Sequence, residues 1–224
     1  MKKMFASLSH NSKVLLANKF FDLCIVIIGV TIAFQLNNLK QSSDERSLEK
    51  FYNENLLIEL DKDINRMNEI VVSLRADKRW TDKCLDTQKG LTADTLQSTV
   101  LEILSFETFN DRNDNTYRAL VSNGSSTIRN RVTRSLIQDY YKCYTNIDRF
   151  ESVYTEFILN HFNVYFSPYY DYASKKLLDA SIVKNAQTKN HLLIAASQLN
   201  DGIESYEDAL SKAATLKNAL LKTN

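Results

Sequence analysis

Glycine and proline are scarce in this sequence. It has four glycines and one proline in 224 residues. Chains that depend on tight turns and strand bulges need more of both residues, so we expect an all-α protein. The scarcity of glycine also excludes the glycine-rich phosphate loops of dinucleotide-binding proteins and nucleoside triphosphatases.

Cysteine and histidine each occur three times. Cys24, Cys84 and Cys143 form no close pair, so no disulfide framework or zinc ribbon can be derived, and we expect buried free thiols. The histidines stand far apart, and His161 falls on an apolar helix seam, where we expect a core residue. No catalytic constellation is visible. We predict neither enzymatic activity nor a metal or cofactor, although distant residues that assemble into a site stay possible.

Net charge is also small, at +1. Five of the basic residues lie within residues 1–40, against the single acid Asp22, so the rest of the chain is slightly acidic. Bulk electrostatics alone therefore predicts no nucleic-acid binding.

One strongly apolar stretch runs from Phe20 to Lys40. Its apolar core is about 17 residues, at the short limit for a helix that crosses a membrane. No cleavage site follows it, as a signal peptide would require, and no polar face interrupts its middle. We predict a basic tail at 1–19, a transmembrane helix at 20–39 and a soluble helical domain at 40–224.

The predicted span has two unlike faces. Small or slender residues, which allow close helix–helix packing, occupy one of them: Val26, Gly29 and Ala33. Polar residues that would line a pore in a ring of several copies, for example a tetramer, occupy the other: Thr31, Gln35 and Asn38. Asp22 is either a functional intramembrane carboxylate or an interfacial partner of Lys19.

The periodicity of the remaining chain predicts an antiparallel helical bundle. The transmembrane helix continues into a long amphipathic helix that ends at Gly90, with apolar positions at Leu48, Phe51, Tyr52 and beyond. Thr92 is expected to cap the next helix. The following segments are predicted to be a short helix from Asn113 or Asn115 to Gly124, a long helix from Arg131 to Phe166, a short helix at 169–180 and a last helix through Leu192 and Leu220.

One cluster interleaves basic and tyrosine side chains, which suits a phosphate backbone and stacked bases. The predicted ligand-binding residues are Tyr117, Arg118, Arg129, Arg131, Arg134, Tyr140, Tyr141 and Lys142. Residues 124–127 are predicted to present backbone amides and hydroxyls to an anion at the start of a helix. The alternative is a helical hairpin whose arginines cap helix ends or pair with acids of the long helix.

Two blocks carry a family resemblance. "VIIGVTIAFQLNNLKQSSDERSLEKFYNENLLIELDKDI" and "NTYRALVSNGSSTIRNRVTRSLIQDYYKCY" resemble, in order, the "IGILIALQINNWNE" and "NTYxAL.SSG" blocks of small bacterial single-span membrane proteins with a helical soluble domain. Leu39 departs from the usual Trp, and "SSTIRN" from the usual "LxLIxN". The architecture is similar to the transmembrane effector of the Hailong anti-phage system.

That similarity implies a bacterial cytoplasmic membrane protein and homo-oligomeric channel. Its ligand would be a nucleotide or short single-stranded DNA, and its partner a nucleotidyltransferase. A cytoplasmic soluble domain would then be required, although the lysines and arginines flanking the span give no real bias in orientation. The alternative function is a passive membrane anchor that carries a helical binding or scaffolding module.

Overall fold

The computed structural model describes residues 10–86 and 90–223 and confirms the all-α prediction. The helices are α1 (His10–Leu85), α2 (Ala93–Leu104), α3 (Asn115–Asn123), α4 (Arg131–Phe157), α5 (Asn163–Phe166) and α6 (Ala186–Thr223). Shorter turns of 3-10 helix cover Ser125–Thr127, Ser167–Tyr169 and Ala180–Lys184, and a π-helical turn covers Ile158–Phe162.

The chain divides into two compact units, Met1–Lys50 and Phe51–Asn224. In the first unit, the part of the predicted basic tail at residues 1–9 lies outside the described residues. Helix α1 begins at His10, earlier than the predicted span, and includes a stretch long and apolar enough to cross a membrane. None of the residues in that stretch is buried within the chain.

The core of the second unit lies between α1, α4 and α6. Helix α1 contributes a buried face that includes Leu56, Leu60 and Met67. Helices α4 and α6 approach closely at Gly202, where an added Cβ would lie 2.3 Å from the Phe150 ring. These helices bury apolar side chains at spacings of three and four, as amphipathic helices do.

Helical structure runs from Arg131 to Phe166, as predicted, but a π-helical turn divides it into α4 and α5. The turn inserts extra residues into the helical repeat between Phe157 and Asn163 and so shifts the register of the side chains that follow. Phe162 takes the fully buried position, and His161 becomes exposed. The prediction of a core histidine at His161 was therefore wrong.

The segment predicted as a helix at 169–180 is instead a small antiparallel hairpin. Strands β1 (Tyr170–Asp171) and β2 (Lys176–Leu177) pair across a turn in which Lys175 has a φ of 55°. Asp171 accepts hydrogen bonds from the Ala173 amide (3.0 Å) and the Ser174 hydroxyl (2.5 Å). Such aspartate-centred turns compete with helix formation.

Helix ends follow the sequence signals unevenly. Thr92 caps α2 as predicted, with reciprocal hydrogen bonds to Thr95. Gly124 follows α3 as predicted, but Asp114 takes the N-cap position, in place of Asn113 or Asn115. Helix α1 ends at Leu85, ahead of the predicted stop.

Some predicted core positions lie elsewhere. Leu48 and Phe51 are exposed, although the sequence pattern placed both on the buried face of the long helix. Cys84 and Cys143 are buried free thiols, as predicted, whereas Cys24 is only partly buried. Near the end of α1, the Lys83 ammonium lies 4.1 Å from the centre of the Trp80 ring.

Candidate functional site

The two predicted faces of the span remain open. The side chains predicted for helix packing and for pore lining are all exposed: Val26, Gly29, Ala33, Thr31, Gln35 and Asn38. A Cβ added at Gly29 would meet nothing within 4 Å. The Thr31 hydroxyl donates to the Ile27 carbonyl at 2.7 Å. The side-chain amides of Gln35 and Asn38 are therefore the main polar groups that this face presents.

In the second unit, Asp63 of α1 is a buried hydrogen-bond acceptor. Its carboxylate accepts from the hydroxyl of Tyr140 at 2.9 Å and from the hydroxyl of Tyr144. It also accepts from the backbone amide (3.2 Å) and the side-chain amide (2.7 Å) of Asn113. Four donors thus satisfy the buried charge, as its burial requires.

Glu59 lies one helical turn before Asp63 and binds the start of α3. It accepts from the Thr116 amide at 3.1 Å and from the Thr116 hydroxyl at 2.8 Å. Nearby on α1, the Tyr52 hydroxyl accepts from the side-chain amide of Asn123 at 2.6 Å. These contacts join the two sequence blocks that carry the family resemblance, and we call them the α1 junction.

The α1 junction changes the interpretation of the tyrosine cluster. Tyr140 is completely buried, and its ring has no face available for a ligand, so its assignment to the ligand-binding set is corrected. Burial, reinforced by the negative charge of Asp63, raises the pKa of Tyr140 above its ordinary value. Tyr140 therefore stays a neutral donor to the Asp63 carboxylate across the physiological range.

Three of the predicted residues line a polar cleft with a volume of about 520 Å³: Tyr117, Arg118 and Tyr141. The Tyr117 and Tyr141 rings are stacked, with centroids 4.1 Å apart. Tyr141 is largely buried, and Tyr117 is half-buried. Tyr117 is therefore the more accessible ring of the pair.

Arg112, which the sequence did not single out, anchors the other side of the cleft. Its guanidinium donates to Glu151 at 2.7 Å, to Asp148 and to the Phe109 carbonyl at 2.8 Å. These acceptors are far away in sequence, except for Phe109, so no local pattern could reveal the site.

The charge of the cleft is balanced by its own acids. Arg112 faces Asp148 and Glu151, and Arg118 is paired with Asp114 at 2.7 Å. Two guanidinium groups thus face three carboxylates among the cleft-lining residues. The cleft offers an anion no unpaired positive charge.

The other predicted cations do not line that cleft. Arg131 and Lys142 are exposed on the outer side of α4, and Arg134 is half-buried beside them. Arg149, which was not among the predicted ligand-binding residues, is exposed on the same side. Within the described residues, no carboxylate forms a salt bridge with any of these four. Arg149 donates to the Asn146 side chain at 3.0 Å. Arg129 is also exposed but is not free of partners.

These four residues form one stripe along the helix. Positions 131, 142 and 149 recur on one face at the helical period, and position 134 lies beside them. The stripe runs about 27 Å along α4, at 1.5 Å per residue. We call it the cationic face of α4.

The predicted anion cradle before α4 is occupied by the protein itself. The Asn130 side chain accepts from the amides of Val132 (2.9 Å) and Thr133 (3.2 Å). The Thr127 amide donates to the Gly124 carbonyl at 3.2 Å. An anion at the Thr127, Val132 or Thr133 amide would have to displace an existing hydrogen bond, which argues against the predicted cradle.

No family model matches this chain, and neither a curated protein nor a solved structure is significantly similar to it. The resemblance of its two sequence blocks to the single-span family stays a prediction.

Proposed function

We propose that this protein is an oligomeric membrane effector whose span lines a ligand-regulated pore. The observation that supports it best is the exposed, two-faced apolar stretch of α1. In a ring of helices, a ridge of small residues packs against the next helix and a polar stripe on the opposite side avoids lipid. A single anchoring helix requires neither face.

In such a ring, the ridge at Gly29 and Ala33 packs against the next helix, and the amides of Gln35 and Asn38 face the lumen. Amide side chains that line a lumen stay hydrated and avoid the cost of exposure to lipid. Several copies are necessary because one helix encloses no channel.

The regulatory ligand in this proposal is an anion, such as a nucleotide or a short single-stranded DNA. The cationic face of α4 is the better contact surface for this anion, because its positive charges lack carboxylate partners. In the cleft, by contrast, Arg112 and Arg118 are each paired with a carboxylate. Residues 131–149 extend about 27 Å, a length that suits an extended polyanion better than a single phosphate.

The biological setting is proposed from the resemblance. By that resemblance, the span would lie in a bacterial cytoplasmic membrane, with the helical domain on the cytoplasmic side, where a partner nucleotidyltransferase would make the ligand. The role would be anti-phage defence by membrane permeabilisation.

Vesicle leakage tests the pore. Full-length protein reconstituted in liposomes is expected to release a small trapped dye. Gln35→Leu and Asn38→Leu should lower the release rate several-fold, because they remove the polar lumen. Val30→Leu, which lies outside both faces, should leave it unchanged. Monomeric protein in detergent together with sealed vesicles would refute the proposal.

Oligonucleotide binding tests the ligand surface. A fluorescein-labelled single-stranded DNA is expected to bind, and Arg131→Gln with Lys142→Gln should weaken binding and reduce its salt dependence. Lys175→Gln with Lys176→Gln is the matched control, because it also removes two exposed positive charges but lies at the β1–β2 hairpin. Equal losses in both variants would argue against the cationic face.

A passive anchor is the second candidate. It is favoured by the self-contained core of the second unit, which buries its own apolar side chains without the span. It predicts that an unrelated transmembrane helix can replace residues 20–39 with no loss of cellular activity. Loss of activity after that exchange would leave the pore as the better explanation.

A further inference from the structure

A row of outward-facing side chains on α1 stays exposed within the described chain, although the Phe51 ring meets the edge of the neighbouring Tyr52 ring, with centroids 5.8 Å apart. Phe51, Ile58 and Val72 are 57%, 55% and 64% exposed, and Asn65 is exposed between the last two. All four lie in the second unit, seven residues apart. We call them the outer stripe of α1.

The opposite face of the same helix is fully used. Leu56, Leu60 and Met67 are completely buried in the core of the unit. The outer stripe is therefore a second row on α1, separate from the apolar row that is buried in the core. Scattered exposed apolar residues are normal, but a row with a regular spacing points to a contact.

A spacing of seven is one of the two rows of a left-handed coiled-coil seam, whose apolar residues recur every three to four positions. The second row here holds Glu54, Asp61 and Asn68, so the outer stripe is a single row of contacts. A polar Asn at one seam position is a known device for fixing register and oligomeric state, at some cost in stability. Asn65 occupies such a position, between Ile58 and Val72.

We infer that the outer stripe of α1 is a contact between copies of this chain, in which each α1 packs against a parallel α1. The inference rests on the proposed oligomeric membrane protein. Copies inserted in one membrane in the same direction have parallel α1 helices, and rotational symmetry then places identical residues at the same level. Ile58 meets Ile58, and the amide of Asn65 can bond to its own counterpart.

Charges at the edges of the stripe fit this arrangement. Asp61 and Lys62 lie about 60° and about 40° to either side of Ile58, at the helical rotation of 100° per residue. Neighbouring parallel helices bring opposite edges together, so Lys62 of one copy faces Asp61 of the next. Within the described residues Lys62 has no carboxylate partner, while Asp61 is bound to Lys217 and its side chain stays 52% exposed.

Cysteine crosslinking of the full-length protein tests the contact. Asn65→Cys in a Cys24→Ser background should crosslink to its own copy with a short thiol reagent in detergent or liposomes. Val164→Cys is the matched control, because Val164 is 61% exposed and lies on α5. Selective crosslinking at position 65 supports the inference, and equal or absent crosslinking at the two positions overturns it.

A charged substitution in the outer stripe provides a second test of the contact. Ile58→Lys should lower crosslinking at position 65 by tenfold or more, and Val164→Lys should not. Unchanged circular dichroism and melting temperature would show that Ile58→Lys still folds, as its exposure predicts. Unchanged crosslinking in a folded Ile58→Lys variant overturns the inference.

The outcomes separate the contact from the pore. Dye release by the wild type without selective crosslinking would retain the proposed pore and reject the outer stripe. Selective crosslinking by a protein that leaves vesicles sealed would retain the stripe as a contact between copies and reject the pore.

Discussion

The two units differ in where their apolar side chains find neighbours. In the first unit the apolar residues from Phe20 to Leu39 are exposed, and only Cys24 is partly covered. In the second unit a continuous cluster of buried side chains runs from Tyr52 to Leu220. The second unit thus buries its own apolar side chains, whereas the apolar stretch of the first is not covered by the described chain.

The largest effect is expected from breaking the second unit at the α1 junction. Asp63→Ala would remove the acceptor that the buried hydroxyls of Tyr140 and Tyr144 share with the amides of Asn113. The two hydroxyls would keep only their contact with each other at 3.2 Å. We expect a loss of about 3–5 kcal/mol in the free energy of unfolding, since each unpaired buried group costs about 1–3 kcal/mol. Urea unfolding in detergent measures it.

Asp61→Ala is the control for that variant. Asp61 lies half a turn away and is half-exposed, so losing its ion pair with Lys217 should cost less than about 1 kcal/mol. Similar losses in the two variants would mean that the buried network contributes little.

The second prediction concerns a buried acid whose ionisation lowers the stability of the second unit. Asp77 is buried, and that burial, with the negative charge of Glu102, raises its pKa to about 7. The native state then holds this proton more tightly than the unfolded state, so stability falls as pH rises from about 4 to about 7. The total loss is at most about 4 kcal/mol at 1.36 kcal/mol per pKa unit.

Asp77→Asn should remove this loss. We expect the variant to be more stable than the wild type at pH 8 and similar at pH 4, as followed by thermal melts across that range. Asp82→Asn, at a half-exposed residue paired with Lys78, should keep the wild-type pH profile. A wild-type profile in Asp77→Asn would show that another group controls the pH dependence.

The smallest effects come from two helical glycines, one in each unit. A Cβ at Gly202 would lie 2.3–2.7 Å from three atoms of the Phe150 ring, so Gly202→Ala should lower stability by about 1–3 kcal/mol through overpacking. A Cβ at Gly29 meets nothing. Gly29→Ala should therefore leave unfolding of the second unit unchanged and alter only self-association. Equal destabilisation by both would contradict the division into a packed and an open unit.

Local signals in the sequence predicted the helices well. Thr92 marks the start of α2, and Gly124 marks the end of α3. The apolar period of α6 is visible along the helix. These features depend on residues a few positions apart, which is the range over which sequence patterns carry information.

Features that depend on distant partners could not be predicted. Asp63 resembles the exposed acids around it, and only the fold reveals that its partners lie 50 to 81 residues away. Arg112 and the acids of the cleft are hidden for the same reason. Phe51 illustrates the opposite error, because its neighbours in sequence suggested a core position and the helix turns it outward.

The single tryptophan gives this molecule a built-in optical probe of one unit only. Trp80 lies near the end of α1 in the second unit, half-buried and with the Lys83 ammonium over its ring. Intrinsic fluorescence will therefore follow unfolding of the helical domain without any label, and the span will contribute no tryptophan signal. A dye attached in the span can then be monitored at a separate wavelength in the same sample.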